Sequence, residues 1–116
     1  MNHRVLRINN LVHEELAKLL VREVDFRGAL ATITEVVTTD EIDYAVVRIS
    51  VIPSDRAEDV LRTLTKATSH LQYLLIRKIN IRPMPKIRFE LDRGPEKAAE
   101  MEKMMSKIEK EINKEE

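Results

Sequence analysis

Residues 60–89 read VLRTLTKATSHLQYLLIRKINIRPMPKIRF, and the rest of the chain is organised around this stretch. It contains seven basic side chains and no Asp or Glu, although the whole chain has 20 basic and 20 acidic residues. The basic residues are Arg62, Lys66, Arg77, Lys78, Arg82, Lys86 and Arg88. Because charges attract mainly within a Debye length of about 8 Å, a neutral protein with such a segment can still bind phosphates.

The charge outside this stretch is uneven. Residues 1–24 hold four basic and three acidic side chains, and residues 25–59 hold three basic and eight acidic ones. Residues 60–89 hold seven basic and no acidic side chains, and residues 90–116 hold six basic and nine acidic ones. The basic stretch therefore either forms a binding surface or pairs with the acidic block of residues 25–59 across the fold. Charge alone leaves both interpretations open.

The first two thirds of the stretch predict a helix that begins just before it. Apolar residues recur at spacings of three and four, namely Ala57, Val60, Leu61, Leu64, Ala67, Leu71, Leu75 and Ile79. A helix of more than 20 residues is long for a globular domain. At Ala67, Thr68, Ser69 and His70, three mediocre helix formers follow one another. We therefore expect a break at residues 67–69 instead of a single bent helix.

Similar periodicities predict the elements before the stretch. Residues 4–23 predict an amphipathic helix that stops before Gly28. Residues 31–38 and 44–51 predict two strands joined by a short polar turn, which makes an antiparallel hairpin. The alternation of the first strand shifts near Glu35 and Val36, which is compatible with a β-bulge. Ser54 or Asp55 is the predicted N-cap of the long helix.

The end of the stretch predicts a third strand. Pro83 and Pro85 forbid a continued helix, and residues 86–91 then alternate between charged and apolar side chains. A strand–helix–strand crossover makes this strand parallel to the second one if the two are neighbours. The sequence thus predicts a two-layer α+β fold, with the order α-β-β-α-break-α-β, a mixed three-stranded sheet and the helices on one face.

We divide the chain into a domain of residues 1–92 and a charged tail of residues 93–116, either helical or flexible. The tail contains a short heptad series of Ala98, Met101, Met105, Ile108 and Ile112. An isolated helix of this length is marginal in water, so it must dock or fray. We favour packing or fraying over dimerisation and expect a monomer.

Several function classes are disfavoured by what the sequence lacks. It has no cysteine and only two glycines, which excludes disulfides, a P-loop and a GxxG nucleotide clamp. It places no His with a carboxylate, so neither an enzyme nor a cofactor is expected. Asp40, Glu41 and Asp43 lack the glycine and terminal glutamate of a calcium loop, and we interpret them as solvated turn residues and not as a metal site. No membrane span and no secretory signal are visible, which favours the cytoplasm.

The order of elements, together with particular residues, resembles the ribosome-binding factor A family, whose members are single type II KH-like domains. The resemblance covers roughly residues 4–92 and is most specific at residues 32–36, 39–45 and 50–51 and in a closing block of Ile81, Arg82, Pro85, Ile87, Phe89 and Asp92. The family breaks its long helix at an Ala-x-Gly kink, and Ala67, Thr68 and Ser69 occupy that place here. Ser69 replaces the glycine, Gln72 stands where arginine is common, and Phe26 replaces a proline.

The resemblance implies a cytoplasmic, non-enzymatic assembly factor. Such a factor binds the immature 30S subunit through 16S ribosomal RNA and assists its late maturation and RNA processing. With only two Tyr, two Phe and no Trp, the chain is not expected to stack successive bases. We expect phosphate contacts and RNA shape to carry binding, through Lys66, Arg77, Lys78, Arg82, Lys86 and Arg88, with Arg4 and Arg7 from the first helix. The alternative is a protein-interaction module that uses the Met/Ile series of the tail.

Overall fold

The computed structural model describes residues 3–115, without the side chains of residues 96, 111 and 113–115. Its elements are α1 (His3–Glu23), β1 (Leu30–Thr38), β2 (Tyr44–Ile52), α2 (Ala57–Lys78), β3 (Lys86–Leu91) and α3 (Gly94–Glu115), with a 3₁₀ turn at Ser54–Arg56. The predicted α+β class is confirmed, as is the order of its strands and helices. Residues 1 and 2 of the predicted domain and residue 116 of the predicted tail lie outside the described residues.

The sheet is mixed, with the strand order β1-β2-β3. Strand β2 pairs antiparallel with β1 and parallel with β3, as the sequence predicts. The register shifts between Ile33, which is opposite Ile49, and Glu35, which is opposite Arg48, so that Thr34 is the extra residue of a bulge. This bulge lies just before the position predicted from the alternation. It returns the next apolar side chains of β1 to the covered face of the sheet.

Helices α1 and α2 cover one face of the sheet, and the core lies between these two layers. Burial of a large aliphatic side chain contributes about 1.5–3 kcal/mol, so this layer supplies most of the stabilisation. The buried residues of the helices are Ile8, Val12, Leu16, Leu19, Leu20, Ala57, Val60, Leu64, Leu71 and Leu75. Those of the strands include Ile33, Val36, Ala45, Val47, Ile49, Val51, Ile87 and Phe89.

The turn between α1 and β1 contains the predicted helix stop. Gly28 has a φ of +89° and Arg27 a φ of 51°, both in the left-handed region that glycine adopts most easily. The carboxylate of Asp25 accepts a hydrogen bond of 2.9 Å from the backbone N–H of Arg27. The chain therefore leaves α1 in a tight turn and enters the sheet at its edge.

The predicted break at Ala67, Thr68 and Ser69 is wrong, because α2 is one uninterrupted helix across this segment. The hydroxyl of Thr68 donates to the carbonyl of Leu64 at 2.8 Å, a bond within the helix that is compatible with a bend but does not interrupt the helix. Ser69 is exposed, and a serine with ordinary helical dihedrals costs a helix only part of what glycine costs. Local propensity is overruled here by the buried leucines on either side, Leu64 and Leu71.

The predicted N-cap is also wrong. Ser54 and Asp55 belong to the 3₁₀ turn, α2 begins at Ala57, and no side-chain hydrogen bond caps either start. Glu58 and Asp59 lie in the first turn of α2, where the helix dipole favours negative charge. The entry into the helix is therefore set by the 3₁₀ turn and by this charge.

Helix α3 extends the chain beyond the sheet, and every described side chain of α3 is exposed. Residues 94–115 of the tail are thus helical, and of the two outcomes that the sequence favoured, packing or fraying, packing on the domain is not seen for any described side chain of α3. Met101, Met105, Ile108 and Ile112 are 53–64% exposed. Across residues 3–115, no helix is both long and apolar enough to span a membrane.

Candidate nucleic-acid interface

Three contacts bring five elements together at one end of the molecule. Asn9 of α1 accepts a hydrogen bond of 2.9 Å from the N–H of Thr38, the last residue of β1. The N–H of Lys86, where β3 begins, donates to the carbonyl of Asp43 just before β2, also at 2.9 Å. The guanidinium of Arg4 donates to the carbonyl of Arg82, which follows α2. The start of α1, the end of β1, the starts of β2 and β3 and the end of α2 therefore meet.

Six of the eight predicted RNA-contacting residues lie at this end, which we call the basic end. They are Arg4 and Arg7 in the first turns of α1, Arg77 and Lys78 in the last turn of α2, Arg82 in the following loop and Lys86 at the start of β3. All six are exposed. The two residues from α1 are therefore close to the basic stretch in space, although they are far from it in the sequence.

A groove of about 190 Å³ lies at the centre of the basic end. It is lined by Arg4, Arg7, Ile8, Asn80, Ile81 and Arg82, and none of these residues is acidic. The planar guanidinium group presents several N–H donors that match the oxygens of a phosphate. Three arginines around one small concavity are therefore suited to hold a phosphate group.

The basic end also carries acidic residues. Asp40, Glu41 and Asp43 lie in the turn between β1 and β2, where the Thr39 hydroxyl accepts hydrogen bonds from the N–H groups of Asp43 (2.9 Å) and Tyr44 (3.2 Å). The six basic residues outnumber these three carboxylates. Positive charge therefore remains in excess at this end.

Lys66 and Arg88 lie outside the basic end. Lys66 precedes Arg77 by three helical turns, or about 16 Å along α2. Arg88 lies two residues beyond Lys86 on β3, and both side chains are exposed on the face of the sheet that α1 and α2 leave open. The eight predicted residues thus form one cluster of six, with Arg88 adjoining it and Lys66 at a distance.

A larger groove of about 410 Å³ lies near the start of α2. Two of its basic side chains make contacts within the fold. Arg56 donates to the carbonyls of Phe26 and Arg27 at 3.2 Å each and lies 3.8 Å from the carboxylate of Asp59. Arg62 pairs with the same carboxylate. Lys66 lines this groove together with two acidic residues. Because Arg56 and Arg62 are engaged within the fold and two carboxylates line the groove, it is the weaker candidate for an anionic ligand.

The residues of the predicted kink lie along the middle of α2. Thr68 lines a shallow groove against Ile87, Arg88 and Phe89 of β3, while Ser69 faces solvent. One turn later, the amide of Gln72 donates to the carbonyl of Pro85 at 3.0 Å and accepts from the N–H of Ile87 at 2.7 Å. Gln72, noted in the sequence for its missing charge, therefore fastens α2 to the start of β3.

Sequence reasoning missed the contact between Tyr73 and Arg77. Its ring is 56% exposed, and its hydroxyl accepts a hydrogen bond of 3.2 Å from the guanidinium of Arg77. The central carbon of that guanidinium lies 5.7 Å from the centre of the ring. The signal was present in the sequence, because residues four apart on a helix are neighbours on its surface.

A polar network anchors the far end of β3. The carboxylate of Asp92 accepts hydrogen bonds from the Thr34 hydroxyl at 2.7 Å and the Gly94 N–H at 2.9 Å, and it lies 3.7 Å from the guanidinium of Arg48. These hydrogen bonds, with Thr34 contributing most, and the charge of Arg48 hold the pKa of Asp92 below its usual value. Thr34, the bulge residue, therefore ties β1 to the end of β3.

The sequence of the chain matches one family of known proteins. The family model described as ribosome-binding factor A matches residues 4–105. The chain is 31% identical over 111 residues to a ribosome-binding factor A from Opitutus terrae, covering 95% of this chain and 91% of that protein.

Two structures of the Thermus thermophilus protein, one a crystal structure and one a fitted homology model, share the fold. The crystal structure of ribosome-binding factor A from Thermus thermophilus matches with a TM-score of 0.58 and 21% identity, covering 79% of this chain and 96% of that one. A homology model of the Thermus thermophilus protein, fitted into the cryo-electron-microscopy map of a 30S complex, matches with a TM-score of 0.63 and 22% identity. That match covers 80% of this chain and 96% of the fitted one.

Proposed function

The chain belongs to the ribosome-binding factor A family, and from that membership we propose that it is a non-enzymatic assembly factor for the small ribosomal subunit. It binds the immature 30S subunit through 16S ribosomal RNA and assists late maturation and RNA processing. The related Thermus thermophilus protein has been fitted into the map of a 30S complex, which supports the same partner here. A monomer working in the cytoplasm is part of the proposal.

One observation carries the RNA-binding part of this proposal. The groove formed by Arg4, Arg7 and Arg82 contains three guanidinium groups and no carboxylate among its lining residues. Arg77, Lys78 and Lys86 extend the positive surface around it. Contacts of this kind hold the phosphate backbone in register without reading its sequence. Such binding suits a factor that recognises the shape of folded RNA.

The main test is co-sedimentation of the protein with purified immature and mature small subunits. The wild-type chain is expected to pellet with the immature subunit. The double variant R7A/R82A removes two guanidinium groups from the groove and is expected to pellet less. The matched control K103A/K107A removes two exposed cations from α3 and should behave as wild type. Absence of the wild-type chain from both pellets would contradict the proposal.

Salt dependence tests the phosphate contacts directly. The logarithm of the binding constant should fall linearly with the logarithm of the salt concentration. Each lost contact reduces the slope by about 0.7 to 0.9, so R7A/R82A should reduce it by about 1.4 to 1.8. The control K103A/K107A should leave the slope unchanged. A wild-type affinity that stays flat from low to moderate salt would rule out phosphate contacts as the basis of binding.

A second candidate function is supported by α3. Met101, Met104, Met105, Ile108 and Ile112 are all more than half exposed, and flexible methionines adapt to different apolar partners. A protein partner with an apolar groove is the alternative ligand. The variant M105E/I108E should abolish binding to such a partner while leaving binding to the small subunit intact. If M105E/I108E lost binding to the small subunit while R7A/R82A kept it, α3 and not the basic end would be the main binding surface.

A further inference from the structure

The outer face of α2 carries an apolar patch beside its basic end. Tyr73 is 56% exposed and Ile76 is 51% exposed. Residues three apart are surface neighbours on a helix, so these two side chains adjoin each other. Arg77 and Lys78 follow immediately, in the last turn of the helix. An exposed ring and an exposed aliphatic side chain thus lie directly beside two cations.

The ring of Tyr73 is held in place by Arg77. The guanidinium of Arg77 donates to the Tyr73 hydroxyl at 3.2 Å, and its central carbon is 5.7 Å from the ring centre. Loss of side-chain freedom on binding is therefore smaller for this pair than for two unconnected side chains. The ring and the charge are therefore presented side by side.

The chemistry of the pair matches one nucleotide. A nucleobase is a flat apolar surface that stacks on aromatic rings, and the phosphate joined to it through the sugar is an anion that arginine binds. A duplex hides its base faces within the helical stack, whereas an unpaired nucleotide exposes them. Of the four aromatic residues, Phe89 is buried and Phe26 is half-buried, and Tyr44 lies on the open face of the sheet. The surface of α2 can therefore hold one base but not a series of them.

We propose that Tyr73 stacks on a single unpaired base of the bound RNA, with Ile76 flanking the base and Arg77 contacting the adjoining phosphate. This inference rests on the proposed function, because it assumes an RNA ligand. It adds a preference for RNA in which at least one base is unpaired. The phosphate groove at Arg4, Arg7 and Arg82 has no such preference.

Intrinsic fluorescence gives a direct readout of this contact. The chain has two tyrosines and no tryptophan, so Y44F leaves Tyr73 as the only strong emitter. This full-length variant is titrated with a 12-nucleotide single-stranded RNA and with a blunt duplex of the same length. The single strand is expected to quench the emission of Tyr73. The duplex is expected to bind without comparable quenching.

Substitutions at position 73 separate stacking from the hydroxyl contact. Y73L should weaken binding of the single strand by about 5- to 150-fold, the range that loss of one base–aromatic stack produces. Y73F keeps the ring, loses the hydroxyl that holds Arg77, and should stay within about 3-fold of wild type. Binding of the duplex should be equal for all three proteins. Both substitutions are at an exposed position, and thermal unfolding verifies that each variant is folded.

The outcomes distinguish this inference from the proposed function. In one outcome, the wild-type chain binds both RNAs with strong salt dependence, the tyrosine emission is not quenched, and Y73L binds the single strand as tightly as Y73F does. The stacking role of Tyr73 is then wrong, and the RNA-binding function stands. If neither RNA nor the small subunit binds, both proposals are wrong. Quenching by the single strand together with selective weakening in Y73L supports the stacking role.

Discussion

Asp92 shows how one side chain can fix the end of a strand. Its carboxylate accepts hydrogen bonds from Thr34 and from the N–H of Gly94, and Arg48 is close enough to add an electrostatic contribution. Arg48 also lies 3.6 Å from the carboxylate of Glu35 across the β1–β2 pair. The bulge at Thr34 is what allows its hydroxyl to reach a residue 58 positions further along the chain.

The free energy of unfolding should depend on pH through Asp92. Its pKa in the folded chain lies below the usual value of 3.8, so the folded state holds the proton less tightly than the unfolded state. The resulting stabilisation is fully present above pH 3.8 and is lost as the pH falls through the lower, folded pKa. Urea unfolding of wild type and D92N between pH 2.5 and 7 measures this.

The comparison with D92N isolates this carboxylate, because the other acidic residues titrate in both proteins. The stability difference between wild type and D92N should be largest near neutral pH and should shrink at the acid end. A difference that stays constant across the range would show that Asp92 titrates alike in the folded and unfolded chains.

Gln72 is expected to contribute to stability through two hydrogen bonds. Q72L keeps the approximate volume but leaves the N–H of buried Ile87 and the carbonyl of buried Pro85 without the amide partner. A buried polar group without a partner costs about 1–3 kcal/mol, so Q72L should lower the free energy of unfolding by that amount. T65A serves as the control, because the exposed Thr65 hydroxyl bonds only within its own helix. Equal stabilities of Q72L and T65A would mean that the Gln72 contacts are of little energetic importance.

At the scale of elements, α2 differs most from what its sequence predicts. Thr68, Ser69 and His70 are mediocre helix formers, but Leu64, Leu71 and Leu75 on the core side are fully buried and hold both halves to the same sheet. Local propensity differences amount to tenths of a kcal/mol per residue, whereas each buried leucine contributes about 1.5–3 kcal/mol. The packing energy decides the outcome, and it is not visible in a local window of sequence.

Substitutions at Ser69 test the continuity of α2. In an uninterrupted helix, S69A should raise the free energy of unfolding by about 0.5 kcal/mol and S69G should lower it by about 0.5 kcal/mol, following helix propensity. A break at this residue would reverse the order, because glycine adopts the dihedrals of a break at the least cost. Urea unfolding of the two variants provides the measurement. Since Ser69 is exposed, neither substitution alters the core.

The strands, by contrast, could be predicted well from the sequence. Alternation of apolar and polar residues fixes which face each strand buries, and the short turn between β1 and β2 requires them to be antiparallel. The parallel pairing of β2 with β3 follows from the crossover through α2. The bulge was located only approximately, because alternation shows that a residue is extra but not which one it is.

At the scale of the whole molecule, the predicted RNA-contacting cations are concentrated at one end. The basic end gathers six of the eight predicted RNA-contacting residues, whereas near the start of α2 both Arg56 and Arg62 pair with the carboxylate of Asp59. Basic composition identified most of these residues in the sequence. The contact between Arg4 and Arg82 spans 78 positions and depends on the fold, so its place at the centre of the cluster could not be predicted.

Removal of α3 should leave the domain intact. A chain that ends at Gly94 keeps the hydrogen bond from the N–H of Gly94 to the carboxylate of Asp92. It also keeps the 3.0 Å ion pair between Arg93 and Glu58. Because no described side chain of α3 is buried, its loss should change the melting temperature by less than about 2 °C, as surface changes usually do. Co-sedimentation with the small subunit should also be retained.

Two measurements follow the truncated chain. Circular dichroism should show the loss of the α3 signal, and thermal unfolding should show one cooperative transition close to that of the full chain. A large fall in melting temperature would mean that α3 packs on the domain. Loss of binding to the small subunit, with an unchanged melting temperature, would instead favour α3 as the element that binds the subunit.

Two side-chain amides, one from each helix that covers the sheet, accept hydrogen bonds from the edge strands. Asn9 of α1 takes the outward N–H of Thr38 on one edge strand, and Gln72 of α2 takes the outward N–H of Ile87 on the other. An exposed strand edge is a template on which extended segments of other proteins can assemble into aggregates. Near the basic end, one outward N–H on each edge strand is thus already hydrogen-bonded and cannot pair with an added strand. The same two side chains thus reduce the capacity of both edge strands to pair with other extended segments.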